Sequence, residues 1–482
     1  MRATMKKMLF YAALPAVMLL ATSCDSWLDL APEDTLTEER AFESEKSVES
    51  ILAGTYHSFY QAVLGSGSTY YPGFIIGDQT TDVLHLSNEN NSFVNATFDY
   101  DDQSIKDIWS TYYTAVNNAN VIITNIPKYA KYSEAARSRQ LAEASFLRAY
   151  LYFDLLKFFG DGALLGQMQG LGLPLQLKPY NGYDGSQIIP RSTNEQVYEQ
   201  VVKDLSFAVA NLPASYGSDQ KNGARATKLS ASALLSRVYL YKHDFAKAAK
   251  FAKDVIDGGV YGLSTFTELF PYNEKGKFIP IPLTKEHIFA LPISSNGSQS
   301  TQYNTNNLGS AYYYKSSYWI EKAFIRSHEK GDQRVSKLMY LGFPDRQVND
   351  STTFKFNNSD GRDNVPLIRY AEILLTRAEA LAREDGVNAE SVALLNQVRG
   401  RAIPGVTPLV VSNFVSAQEL LDRILRERFI ELAFEGQNRY DLIRTGRPLK
   451  NKTLPDNKKV LPIPQSEVDI SKGVIKQNPG FL

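Results

Sequence analysis

Two aromatic clusters hold the residues best suited to chemistry in this 482-residue chain. Tyr70, Tyr71 and Phe74 are followed closely by Asp78 and Asp82. Tyr312, Tyr313, Tyr314 and Trp319 are preceded by Asn304, Asn306 and Asn307. A sugar ring offers apolar C–H faces ringed by hydroxyls, so flat aromatic faces with amide and carboxylate edges suit it. Both clusters fall in loop-like stretches, where binding residues concentrate. The pattern therefore predicts ligand contacts at Tyr70, Tyr71, Asp78, Asp82, Tyr312, Tyr313, Tyr314 and Trp319. The competing reading sends part of each cluster into the core, since three adjacent tyrosines cannot face one way.

Catalytic chemistry finds little to work with. The five histidines (His57, His85, His243, His287, His328) are scattered and none pairs at ligand spacing. No GxSxG elbow, HExxH helix or Walker loop is present. The expectation is a protein that is not an enzyme, with no catalytic residue, no metal and no cofactor. A glycoside hydrolase needs only two carboxylates about 5–10 Å apart, and it stays as a competing class. Asn357, Asn358, Asp360 and Asp363 surround Gly361, but their spacing is not an EF-hand and suits a polar turn. Asp422/Arg426 and Arg428/Glu431 stand at helical spacing and are expected to be ordinary helix-face ion pairs. Asn117 and Asn120, on an aromatic helix, are expected to bond the backbone of the next helix.

The elements that must position these residues are helical. Lys228–Ile256 sets Ala231, Leu234, Leu235, Val238 and Tyr241, then Phe245, Ala248, Ala249, Ala252, Val255 and Ile256, at the period of an α-helix. His243-Asp244 makes a short turn between the halves, with Asp244 placed to cap the second. The small residues let two antiparallel backbones approach, as in a tetratricopeptide (TPR) unit. One hairpin cannot bury its face alone, so further pairs are required. Helical phase recurs after a capping box at Thr35–Glu38, over 101–126 and 133–159, after a second box at Ser192–Glu195, over 367–402, and after Ser416. Gly65–Gly77 reads as loop. The period fades from 259 to 366, where His287–Ile293 has the pattern of a strand. The fold class is mainly α, with TPR-like helical pairs in a single large body and a loop-rich insertion containing short strands. The parts are a leader (1–23), a tether (24–37), an N-terminal helical part (38–258), the insertion (259–365), and a C-terminal pair with its tail (366–482).

The leader is an address. Arg2, Lys6 and Lys7 precede the apolar run Met8–Ala21 and the small residues Ala21-Thr22-Ser23. Cys24, the single cysteine, follows directly, and this resembles the lipidated first residue of a bacterial lipoprotein. Removing the leader leaves 49 basic against 52 acidic side chains, a balance that offers nothing to nucleic acid.

Several segments together resemble the SusD/RagB family of outer-membrane nutrient-uptake lipoproteins. They are Cys24 with DSWLD, IWSTYYTAVNNANVII (108–123), AEASFLRAYLYFDLLKFFG (142–160) and EKGDQR (329–334). IRYAEILLTRAEALA (368–382), RERFIELAFEGQNRYDLIRTGR (426–447) and the closing VLPIPQSEVDI…NPGF (460–481) follow in order. The resemblance implies a lipid-anchored cell-surface protein of the outer membrane that binds oligosaccharide or another nutrient. It implies a partner too, a SusC-like TonB-dependent transporter over which the protein forms a lid. A TPR-type protein-binding scaffold is the alternative.

Overall fold

The computed structural model describes residues 37–65, 72–86, 91–99, 102–182, 185–272, 282–292, 308, 318–341, 351–357 and 363–482. Cys24, Tyr70, Tyr71, Tyr312, Tyr313 and Tyr314 lie outside the described residues, as do the leader and nearly all of the tether.

The architecture is mainly helical. Its long helices are α1 (Glu45–Leu64), α2 (Gln103–Tyr129), α3 (Glu134–Phe159), α4 (Asn194–Asn211) and α5 (Lys228–Tyr241). They continue with α6 (Phe245–Asp257), α7 (Tyr370–Asp385), α8 (Ala389–Ala402) and α9 (Ala417–Glu431). Most begin at a residue whose side chain accepts a first-turn amide, among them Ser44, Asp102, Ser133, Thr227, Asp244 and Ser416. The capping box before α4 sits one residue later than its sequence suggests, with Thr193 and Gln196 as partners. Helix α7 has no side-chain cap, because its N-cap is Arg369, whose guanidinium has no acceptor to offer and instead joins a buried ion cluster.

Helices α5 and α6 form the expected antiparallel hairpin. Its turn places His243 in the left-handed region at φ 62°, and the ring stacks on Phe245 with centroids 5.9 Å apart. Helix α6 buries Ala248, Ala249, Ala252 and Val255. Against that small-residue face lies α7, and Arg377 Nη1 donates to the Ala249 carbonyl at 2.7 Å. The α7–α8 pair thus docks on α5–α6 as a next repeat would, although residues 258–369 separate the two pairs in sequence. One apolar core runs through helices α1–α9.

Among the described residues the short strands pair in three two-stranded sheets, all antiparallel. β1 (Leu84–Leu86) pairs with β3 (Tyr318–Ile320), β2 (His287–Leu291) with β6 (Val365–Arg369), and β4 (Met339–Leu341) with β5 (Ser351–Thr353). The expected strand over 287–293 ends at Leu291. Pro72–Gln79 is a helix rather than loop. Proline suits a helix start, and the turn lets Phe74, Ile75 and Ile76 all bury. Gly77 and Gly436 then meet so closely that a Cβ on Gly77 would overlap the Gly436 backbone.

The ion pairs of α9 differ from the helix-face reading. Arg428 turns inward to Asp441 (2.7 Å) and Glu372 (3.4 Å) rather than to Glu431. Glu431 is buried and accepts from Arg369, Arg334 and Arg401. Asp422 pairs with Arg447, and Arg426 donates to the Ser327 carbonyl. The spacing permits intrahelical pairs, but burial of one face hands the charges to partners far along the chain.

Candidate ligand-binding site

The β1–β3 ribbon brings two of the sequence-flagged stretches together. Strands alternate their side chains, so Leu84, Leu86 and Ile320 point into the core while His85 and Trp319 share the opposite face. These two residues are directly paired across the ribbon. Their rings lie with centroids 5.5 Å apart and planes tilted by 32°. His85 is exposed and Trp319 half-buried, so together they form a partly open aromatic platform. The Trp319 indole N–H is shielded and has no partner among the described residues.

The platform is anchored at its edges. Lys450 Nζ donates to the Leu84 carbonyl (2.8 Å) and to Glu321 Oε1 (2.9 Å). His85 Nδ1 lies 3.5 Å from the same Glu321 oxygen. The Glu321 amide donates to the Val83 carbonyl at 2.9 Å, and the Lys450 amide to the Thr80 carbonyl at 2.9 Å. Asp82 is exposed on the turn leading into β1, beside this cluster in sequence. The arrangement offers an aromatic face, an imidazole and carboxylates. It suits recognition of a polyhydroxylated ring.

The other predicted contacts divide. Asp78 is fully buried in the Pro72–Gln79 helix, where its Oδ1 accepts the Phe434 amide at 3.2 Å. Phe434 sits at φ 70°, so Asp78 steadies a strained turn, and it is framework rather than a ligand contact. Phe74 packs edge-on against Phe356 inside the body. Tyr70, Tyr71 and Tyr312–Tyr314 belong to the chain outside the described residues. Asn117 and Asn120 do bond backbone, but to a loop rather than a helix. Asn117 exchanges bonds with the Tyr180 main chain (3.1 and 2.9 Å), and Asn120 donates to the Gln176 carbonyl at 2.7 Å. Asn357 is likewise turned inward, donating to the Pro271 and Phe354 carbonyls. Among the described residues no group of three His, Cys, Asp or Glu side chains is gathered to hold a metal.

His85 is the site residue that sequence reasoning passed over. Its signal was the alternation Leu84-His85-Leu86, too short to stand out from the residues on either side.

Solved structures share the helical fold that carries this ribbon. A SusD superfamily protein of Bacteroides thetaiotaomicron matches with a TM-score of 0.74 at 24% identity, over 90% of this chain and 100% of that one. In sequence, a SusD-like protein of Bacteroides ovatus is 25% identical over 94% of this chain and 85% of its own length. The starch-binding protein SusD of Bacteroides thetaiotaomicron is 24% identical over 72% of this chain and 74% of its own. Residues 26–240 match the family model described as starch-binding and associating with the outer membrane, and residues 272–459 match that of the SusD family. The chain belongs to the SusD family.

Proposed function

We propose that this protein is a cell-surface glycan receptor that captures oligosaccharide on the Trp319–His85 platform. Captured ligand passes to a SusC-like TonB-dependent transporter for which the protein acts as the lid. Cys24 carries the lipid anchor that holds it at the outer membrane, and the protein performs no catalysis. Family membership supports the ligand class and the membrane. The observation that carries the reading is an aromatic pair displayed, rather than packed away, on a ribbon fastened by Lys450 and Glu321. A TPR scaffold that binds only proteins has no need of such a platform.

Isothermal titration against a panel of oligosaccharides tests this, run beside a thermal melt. Trp319→Ala should weaken binding by about 2 kcal/mol or more, the loss typical of a central aromatic anchor, with little change in Tm. Unchanged affinity together with a collapsed melt would make Trp319 a core residue and remove the reading.

A further inference from the structure

A second cavity lies away from the ribbon, between the N-terminal half of α2, residues 174–182 and 187–189, and the short helix Gln465–Ile470 near the C-terminus. Its volume is about 400 Å³. Trp109 and Tyr113 line one wall as adjacent rungs of α2, their rings 4.8 Å apart and tilted by 40°. Tyr180 lines the pocket from the loop, and Gln176, Gln187 and Glu467 supply its polar edge. The walls are set from behind. Phe159 packs edge-on against Trp109 at 5.1 Å, the Tyr113 hydroxyl donates to the Pro174 carbonyl at 2.9 Å, and Asn117 holds the Tyr180 main chain. Rings fixed in this way are preorganised, which lowers the entropy lost on binding.

The charge of the cavity narrows its occupant. Among the described residues that line it, Glu467 is the one charged side chain, and none is a lysine, arginine or histidine. The Trp109 indole bonds that carboxyl, while partial burial raises its pKa above the ordinary value. An anion would meet a carboxylate and no cation, whereas hydroxyl or ammonium donors would find an acceptor.

We propose that this cavity is a second carbohydrate site, taking a single neutral or amino sugar ring and rejecting uronic acids. The ring stacks on Tyr113 and Tyr180 and donates to Glu467. The ligand class is the one proposed for the ribbon, but the site is separate, and the two can fail independently.

The chain has three tryptophans, Trp27, Trp109 and Trp319, so each site contains one reporter. The full mature chain, labelled with 5-fluorotryptophan, would be titrated by ¹⁹F NMR with millimolar methyl glycosides of glucose, galactose, mannose and xylose, and with glucosamine and glucuronate. Single Trp→Phe variants assign the resonances. At least one neutral or amino probe should shift the Trp109 signal saturably, and glucuronate should not. The shift should persist in Trp319→Ala and weaken at least about tenfold in Glu467→Gln, which keeps the acceptor for Trp109 but removes its charge. Tyr180→Ala, a change on the cavity wall, should abolish it. Three results would each overturn the site: a Trp109 signal silent to every probe, one moved by glucuronate as strongly as by the others, or one lost together with Trp319. Silence at Trp319 alone would instead count against the ribbon.

Discussion

Arg369 is 1% exposed, yet its guanidinium is fully occupied: Glu286 at 2.6 Å, Glu435 at 2.7 Å, Glu431 at 3.0 Å, and the Glu431 carbonyl. Burying a charge is unfavourable unless pairing and hydrogen bonds offset the loss of water, and removing one partner leaves the others uncompensated. Arg369→Ala should therefore destabilise by about 3–5 kcal/mol, read as a shift in the urea midpoint. A loss under about 1 kcal/mol would mean that water or a neighbour such as Arg401 replaces it. None of this was legible in the sequence, where Arg369 falls inside the stretch 367–402 read as helical, although it closes strand β6, and its partners lie from 62 to 83 positions away. The ring chemistry was easier to see. Trp319 stood out because a large aromatic follows a polar, asparagine-rich stretch outside any helical period. Asp78 misled for the opposite reason: an acid beside aromatics looks the same whether it faces a ligand or caps a buried turn.

The helical pairs were readable because period and residue size agree along Lys228–Ile256. Ala248, Ala249 and Ala252 are small on the face that another helix must approach, and α7 approaches it. What the period could not reveal was which helix does so, since α7 follows α6 only after the long insertion. Ala249→Leu should push α7 away and disturb the Arg377 bond to the Ala249 carbonyl, destabilising by about 1–3 kcal/mol by overpacking. Chemical unfolding that shows no loss would mean the face has room to spare. The Pro72–Gln79 helix makes the complementary case. Its glycines and aromatics read as loop, yet Gly77 is needed where two backbones touch. Gly77→Ala should destabilise more than a surface Gly→Ala exchange in a helix such as Gly54→Ala, whose Cβ would meet nothing. Equal midpoints for the two variants would remove the argument from close approach.

At the scale of the molecule, anchoring and acid response are the properties to test. Cys24→Ala should leave the protein unacylated and move it out of the membrane fraction, and a variant still labelled by palmitate would remove the lipoprotein reading. Acid response follows from the buried charges that tie distant parts of the chain together. Burial alone would raise the Glu379 carboxyl, but Arg444, Arg383 and Arg428 outweigh it and hold the pKa at about 2, below its ordinary 4.5. Glu431 is displaced in the same direction by Arg401, Arg369, Arg334 and Lys355. A depressed carboxyl contributes stability that is present above the unfolded value and lost as pH falls toward the folded one. His287 adds a second, higher limb. Burial and then the Arg369 charge lower its pKa from 6.5 to about 3, and its Nδ1 accepts the Thr284 amide at 3.0 Å. The unfolded chain binds that proton first, so acidification below about pH 6.5 favours unfolding. Urea midpoints should therefore decline gently from neutrality and steeply below about pH 4.5. His287→Asn keeps an acceptor for Thr284 and removes the titration, so it should flatten the upper part of the decline and leave the lower part unchanged. Identical curves for the variant and the native chain would show that His287 titrates alike in both states.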